Sequence, residues 1–285
     1  MQITPIASAL GAEISGLDLS TELTPQQLRA VHAAWLEHLV LLFRDQTLTP
    51  AQMIAFSRQF GELERHENYQ AELRHPDHPE LLVVKASAVD GRRITFGQQW
   101  HSDLSYTLRP SMGSCLYCLE IPPVGGDTLF ANMYLGYESL SPTMRRLLDG
   151  LYAVHDLSNG RSHRDASAEQ REATRKRNPP VCQPIVRTHP ETGRKALFIS
   201  EWMCTRIVGM SDEEGRGLLR FLCDQSTREA FTFRQTWRVG DVLMWDNRAT
   251  VHMALADYPN GTARRLLRTS ITGNREGRPL TSATA

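Results

Sequence analysis

A mainly β architecture braced by helices, a β-sandwich or a jelly roll, is what this sequence predicts. Short apolar runs of strand length recur through the chain. They are separated by long excursions rather than by a regular strand–helix alternation, and few segments carry marked helix signals. Neither G-x-G-x-x-G nor G-x-x-x-x-G-K-[ST] occurs, which disfavours a nucleotide-binding βαβ fold.

The helices announce themselves by their starts. Thr24-Pro25-Gln26-Gln27 supplies an N-cap, a proline at N1 and a glutamine at N3; Leu28, Val31, Trp35 and Leu39 follow at helical spacing. Thr49-Pro50-Ala51-Gln52 repeats the signal, with Met53, Phe56 and Phe60 behind it and Gly61 as the stop. Ser141-Pro142-Thr143 opens a third helix, and Ser211-Asp212-Glu213-Glu214 is a capping box for a fourth, with Leu218, Leu219, Phe221 and Leu222 on its apolar side. Strands are expected at 39–43, 81–84, 114–119, 196–199, 231–237, 242–245 and 266–271, several bounded by turns such as Asp90-Gly91 and Gly240-Asp241. Residues 160–180 are highly charged and nearly free of large apolar side chains, so they should form a surface loop or short helix, or a lid over a site.

Composition narrows the class. With 285 residues, 41% of them hydrophobic, the chain can bury a sizeable core and is expected to form one domain over 1–285. Basic and acidic residues balance at 32 each, leaving no excess of positive charge to neutralise nucleic-acid phosphates. No stretch approaches the roughly 18 apolar residues of a membrane span, and Met1-Gln2-Ile3-Thr4-Pro5 lacks the pattern of a signal peptide. Five cysteines at irregular spacing make a poor disulfide framework, so a reduced, cytoplasmic protein is expected. Cys115-x-x-Cys118 sits in an apolar run without a second pair and reads as structural. His32 and His38 lie in a helical pattern, and His155 is more readily a packed strand residue than a site residue. His75, His78, His163 and His189 lie in polar turns and are expected to be exposed.

Two segments carry chemistry. Trp100-His101-Ser102-Asp103 places an imidazole and a carboxylate two residues apart, and in an extended segment both would face one ion. A third ligand would complete a 2-His-1-carboxylate face, an arrangement suited to Fe(II). The second segment is a buried run, Val242 to Trp245, ending in Asp246-Asn247-Arg248, with His252 following. Beyond it, positions 264, 266 and 268 of a strand share one face, so Arg264 and Arg268 would line one wall; guanidinium groups suit a carboxylate partner. Taken singly, each feature also fits surface residues.

Together, W-H-S-D (100–103), G-G-D-T (125–128), W-D-N-R-x-x-x-H (245–252) and R-x-x-x-R (264–268) resemble the TauD/TfdA family of Fe(II)/2-oxoglutarate-dependent dioxygenases. Softer features extend the resemblance along nearly the whole chain: residues 10–19, Leu41 to Gln46 and Phe56 to Gly61. It implies a distorted double-stranded β-helix (jelly roll) with flanking helices and a cytoplasmic homo-oligomer that acts on a small molecule, with neither nucleic acid nor membrane as partner. It further implies His101, Asp103 and His252 as ligands of Fe(II), with 2-oxoglutarate and O2 as co-substrates. Arg264 and Thr128 would hold the distal carboxylate of 2-oxoglutarate, and Arg268 would stand near both the co-substrate and the primary substrate. Arg264 is chosen over the adjacent Arg265 because the family spaces its two arginines by four.

Family substrates carry sulfonate, alkyl sulfate or aryloxyalkanoate groups, and hydroxylation leads to fragmentation of the product. Besides Arg268, the substrate candidates are His66, Tyr69, Phe96 to Gln98, Tyr106, Trp202 and Met203. Taurine-type enzymes carry an asparagine four residues before the first metal histidine; this chain has Gly97 there. Two alternatives use the same residues: a zinc-dependent hydrolase on the His-Asp-His face, and a non-catalytic metabolite-binding module.

Overall fold

The two apolar faces of one sheet organise the molecule. The computed structural model describes residues 1–66, 71–85, 87–89, 92–94, 97–159 and 166–280, with backbone alone for 87–89, 92–94 and 159. The larger sheet has the strand order Gln2–Pro5, Ala12–Ser15, Val40–Phe43, Val242–Asp246, Gly113–Glu120, Arg265–Ile271 and Leu82–Lys85. All neighbours are antiparallel except Ala12–Ser15 and Val40–Phe43, which are parallel.

Strict alternation along these strands sends side chains into two separate cores. Leu41, Phe43, Cys115, Tyr117, Val242, Met244, Leu267 and Ile271 join Trp35, Met53 and Phe56 beneath the helices Pro25–His38 and Pro50–Arg58. Val40, Leu42, Leu116, Cys118, Leu243, Trp245 and Leu266 point the other way, toward Phe130, Ala131 and Val251. Those last residues belong to the facing three-stranded sheet, Thr232–Gln235, Thr128–Asn132 and Thr250–Ala254. Two facing, mainly antiparallel sheets with helices on the outer face make the jelly roll that the sequence predicts.

Each expected helix is present. Thr24, Thr49 and Ser211 form reciprocal capping boxes with Gln27, Gln52 and Glu214, and the Ser141 side chain accepts from the Met144 N–H. The expected strands appear within a few residues of their predicted bounds. Within 160–180, Ser167 caps a helix, Ala168–Arg177, almost wholly exposed apart from Thr174; residues 160–165, with His163, lie outside the described residues, as do Asp90 and Gly91. Tyr152–His155, the strand carrying His155, lies in a further sheet with Val181–Pro184, Cys204–Ile207 and Arg278–Pro279, and those last three strands were not expected. No helix among the described residues is long and apolar enough to cross a membrane.

Candidate active site

His101 and His252 face each other across a single antiparallel bridge at the edge of the smaller sheet. Each backbone N–H donates to the other's carbonyl, His101 to His252 over 3.0 Å and the reverse over 2.8 Å. The reciprocal bonds bring the imidazoles to a centroid separation of 4.2 Å. The chain then leaves the bridge at once: Asp103 opens a turn, and Leu104 adopts a φ of +55°. The expectation that residues 101 and 103 share one face of a strand is therefore corrected. A turn, rather than strand alternation, returns the carboxylate to the imidazoles, with His101 Nε2 3.9 Å from Asp103 Oδ1. One ligand atom from each of His101, Asp103 and His252 lies within 4.8 Å of the others, and all three residues are buried.

Protein contacts prepare the donors for a cation. His101 Nδ1 lies 2.7 Å from the Gln99 carbonyl; with the proton there, Nε2 is left to bind a metal, as in many histidine-ligated sites. Burial, the largest influence, lowers the pKa of both His101 and His252, favouring the neutral, ligating form. Burial by itself would raise the Asp103 carboxyl, but Arg268, His252, His101 and a bond from Ser114 together hold it well below the usual carboxylate range. Ser114 Oγ donates to Asp103 Oδ2 over 2.7 Å, and Arg268 Nη1 donates to Oδ1 over 2.8 Å. Two neutral imidazoles and an ionised carboxylate brought together are the donor set of a non-haem Fe(II) centre.

The W-D-N-R segment explains how the turn is held. Asn247 Oδ1 accepts from the Asp103 backbone N–H (3.2 Å) and from Trp245 Nε1 (2.9 Å). Its amide donates to Ser114 Oγ over 3.0 Å, while its carbonyl accepts from Ser102 Oγ over 2.8 Å. Asp246 and Arg248 turn the other way, into a buried network with His189, whose Nε2 lies 3.0 Å from Asp246 Oδ2. His189, expected to be exposed, is 1% exposed, because the ionised Asp246 needs a buried donor.

Arg264 and Arg268 both reach the interior, each 3% exposed, although a bulge at 265/266 interrupts the register between Arg265–Ile271 and Gly113–Glu120. Arg265 points outward to Glu120. The two buried arginines meet different surroundings. Arg268 is engaged with Asp103. Arg264 donates from Nε to the Gly126 carbonyl over 2.9 Å, forms no ion pair among the described residues, and keeps a buried Nη1 with no hydrogen-bond partner. Burial lowers its pKa, the expected signature of a guanidinium lacking a carboxylate. Gly126 and Gly125, with φ of +75° and +80°, allow this approach: a Cβ on Gly126 would stand 3.3 Å from Arg264 Cδ. Thr128, next in the G-G-D-T turn, is buried and accepts from Trp237 Nε1 over 3.0 Å.

Of the substrate candidates, His66 is buried near enough to Arg268 and Asp103 to feel both charges; burial above all lowers its pKa to about 3, with Arg268 adding to the shift. Trp202 meets the His101 imidazole edge-on at 4.7 Å. Gly97 lies against the same ring, where a Cβ would come within 2.8 Å of Cε1. Met203 is buried; Tyr106, on the turn beyond Asp103, and Gln98 are half-buried. Tyr69 and Phe96 lie outside the described residues. His155 is packed, between Ser105 Oγ at 3.1 Å and Cys204 Sγ at 3.3 Å. Sequence reasoning missed Ser114, Trp237 and the role of Asn247. Only Asn247 carried a signal, through its place in the motif.

Comparison with known proteins follows the same lines. Residues 2–270 match the family model described as taurine catabolism dioxygenase TauD, TfdA family. Pentalenolactone F synthase of Streptomyces arenae is 33% identical over 284 residues, covering 94% of each chain. An alpha-ketoglutarate-dependent 2,4-dichlorophenoxyacetate dioxygenase of Burkholderia sp. (strain RASC) is 35% identical over 277 residues, 93% of this chain and 92% of the relative. The alkylsulfatase of Acinetobacter baylyi is 33% identical over 94% of this chain and 83% of its own. Among solved structures, AAD-2 in complex with Mn(II) and N-oxalylglycine superposes with a TM-score of 0.86 at 30% identity, over 96% of this chain and 98% of the other.

Proposed function

This chain belongs to the TauD/TfdA family of 2-oxoglutarate-dependent dioxygenases, and from that premise we propose that it hydroxylates a small organic anion of the sulfonate, alkyl sulfate or aryloxyalkanoate class. Its co-substrates are 2-oxoglutarate and O2, and its metal is Fe(II). When bound, Fe(II) and the co-substrates supply the oxidising chemistry, in which 2-oxoglutarate becomes succinate and CO2 and the substrate gains a hydroxyl.

The chain's own residues bind, orient and shield. His101, Asp103 and His252 hold the metal from one side, leaving the other side to exchangeable ligands. Arg264 receives the distal carboxylate of 2-oxoglutarate, with Thr128 as a second donor. The observation that carries this assignment is the unpartnered Nη1 of a buried arginine, a group that gains most from an incoming carboxylate. Arg268 and His66 stand on the primary-substrate side. Because burial keeps the His66 imidazole neutral at ordinary pH, Arg268 supplies the positive charge and His66 a hydrogen bond to an anionic head group. Trp202 gives that side an apolar wall. Hydroxylation at the carbon bearing the sulfonate, sulfate or aryloxy group produces an unstable adduct that fragments.

In the zinc-hydrolase alternative Arg264 and Arg268 would serve the substrate only, and loss of activity on removing 2-oxoglutarate would rule it out; a binding module gives no reason for an intact His-Asp-His cluster. A screen of sulfonates, alkyl sulfates and aryloxyalkanoates, with succinate formation coupled to substrate loss as readout, tests the substrate class. Strong coupling is expected in one class; uncoupled succinate formation with all three would reject it.

A further inference from the structure

Trp237 makes a polar contact that none of these roles uses. It is buried, and its indole Nε1 donates to Thr128 Oγ1 over 3.0 Å. An indole can only donate, whereas a threonine hydroxyl offers one proton and two acceptor lone pairs. The contact fills an acceptor position and leaves the hydroxyl proton uncommitted; among the described residues the Thr128 side chain has no other hydrogen-bond partner.

The surroundings of Thr128 are fixed by the backbone. Thr128 is pinned in the middle strand of the smaller sheet, paired with Gln235 on one side and Ala254 on the other, and Trp237 follows Gln235 by two residues. The neighbouring carboxylates are already engaged. Asp127 Oδ2 takes Arg234 Nε at 2.6 Å, and Asp257 accepts from the Gly126 N–H at 2.8 Å and from Arg234 Nη2 at 3.0 Å. Gly126, two residues before Thr128, receives Arg264 Nε. A guanidinium with an unpartnered Nη1 is thus bonded to Gly126, two residues before the hydroxyl of Thr128.

We propose that Trp237 is a positioning residue for 2-oxoglutarate: by donating to Thr128 Oγ1 it commits that hydroxyl to donate its proton to the distal carboxylate that Arg264 receives. This deepens the proposed function and rests on its assignment of Arg264 and Thr128 to the co-substrate. A hydroxyl whose lone pair is already filled is oriented before the anion arrives, so less ordering is left to binding. Trp237 touches neither the metal nor the co-substrate in this role.

A double-mutant cycle on 2-oxoglutarate affinity tests it, read anaerobically from the visible charge-transfer band of Fe(II)-loaded protein. Trp237→Phe and Thr128→Val should each weaken binding by about five- to tenfold, and the double variant should bind within about twofold of Thr128→Val alone. Losses that multiply in the double variant would overturn the proposal. A 2-oxo acid lacking the distal carboxylate, 2-oxopentanoate, should bind wild type and Trp237→Phe equally; an equal loss for both acids would mean general distortion and would also overturn it. Wild type that fails to bind 2-oxoglutarate would instead strike the underlying reading. If Trp237→Phe does not fold, protein labelled with 15N-tryptophan provides the test. One indole N–H resonance should shift when 2-oxoglutarate is added to wild type but not to Thr128→Val, and identical responses would reject the proposal.

Discussion

Two arginines four residues apart on one wall of the roll, Arg264 and Arg268, are equally buried and oppositely provided for. Arg268 lies against Asp103, itself held by Ser114 and reached through the turn that Asn247 fixes. Arg264 has a single backbone carbonyl, and its remaining capacity points at no protein acceptor among the described residues. A buried charge without a counter-charge opposes folding, so its retention calls for a compensating use. Arg268 is thus provided for by the protein itself, and on the proposed assignment Arg264 is provided for by the distal carboxylate of 2-oxoglutarate.

That contrast predicts different responses to truncation. Asp103→Ala should abolish turnover, and because it strands Arg268 in a buried setting it should also destabilise the metal-free protein by about 3 kcal/mol. Urea unfolding in the presence of a chelator measures this; unchanged stability would show that the Arg268 contact is not maintained in solution. Asp103 is 3% exposed, which makes its ion pair with Arg268 a buried one.

Arg264→Ala should behave in the opposite way. It removes an unpaired charge, so stability should hold or rise slightly, while the 2-oxoglutarate requirement rises at least about tenfold. A stability loss as large as that of Asp103→Ala would erase the distinction between the two ends. Arg265→Ala is the control: its half-exposed pair with Glu120 should contribute under about 1 kcal/mol, and the 2-oxoglutarate requirement should not move. A shift there equal to that of Arg264→Ala would place the co-substrate on the wrong arginine.

A last effect, spread over a pH range, concerns acid. Burial, the main cause, lowers the His155 pKa to about 4 from an ordinary value of 6.5. The unfolded chain therefore binds a proton that the folded chain refuses, and the stability this group contributes is present above pH 6.5 and lost as pH falls toward 4. Its contribution to the slope is about 1.4 kcal/mol per pH unit in that window. His155→Gln should flatten the acid limb of a stability–pH profile measured away from the metal-binding range; an unaltered limb would show that His155 is charged in the folded protein.

What the sequence disclosed follows the range of the interactions involved. Helix starts depend on contacts three residues apart, so Thr24/Gln27, Thr49/Gln52 and Ser211/Glu214 were readable directly. Strands buried on both faces, such as Val242–Asp246, stood out as unbroken apolar runs. Thr250–Ala254 did not, because a strand that carries His252 and Thr250 among apolar residues mixes polar and apolar positions. The residues of the His-Asp-His cluster were legible through motif resemblance, whereas the turn that delivers Asp103 was not. Nor was the support from Ser114 and Asn247, which meet across 133 residues of chain. His189 misled because its partner, Asp246, is 57 residues away. Nothing local distinguishes a turn histidine that is solvated from one that is buried against a carboxylate.

The most direct test of the whole account is an anaerobic titration of 2-oxoglutarate into Fe(II)-loaded wild type and Arg264→Ala, followed in the visible charge-transfer band. A saturable band in wild type, with half-saturation displaced at least about tenfold upward in the variant, is the predicted result. No band in wild type, or the same half-saturation in both proteins, would contradict a ferrous centre at His101, Asp103 and His252 with its keto acid held by Arg264.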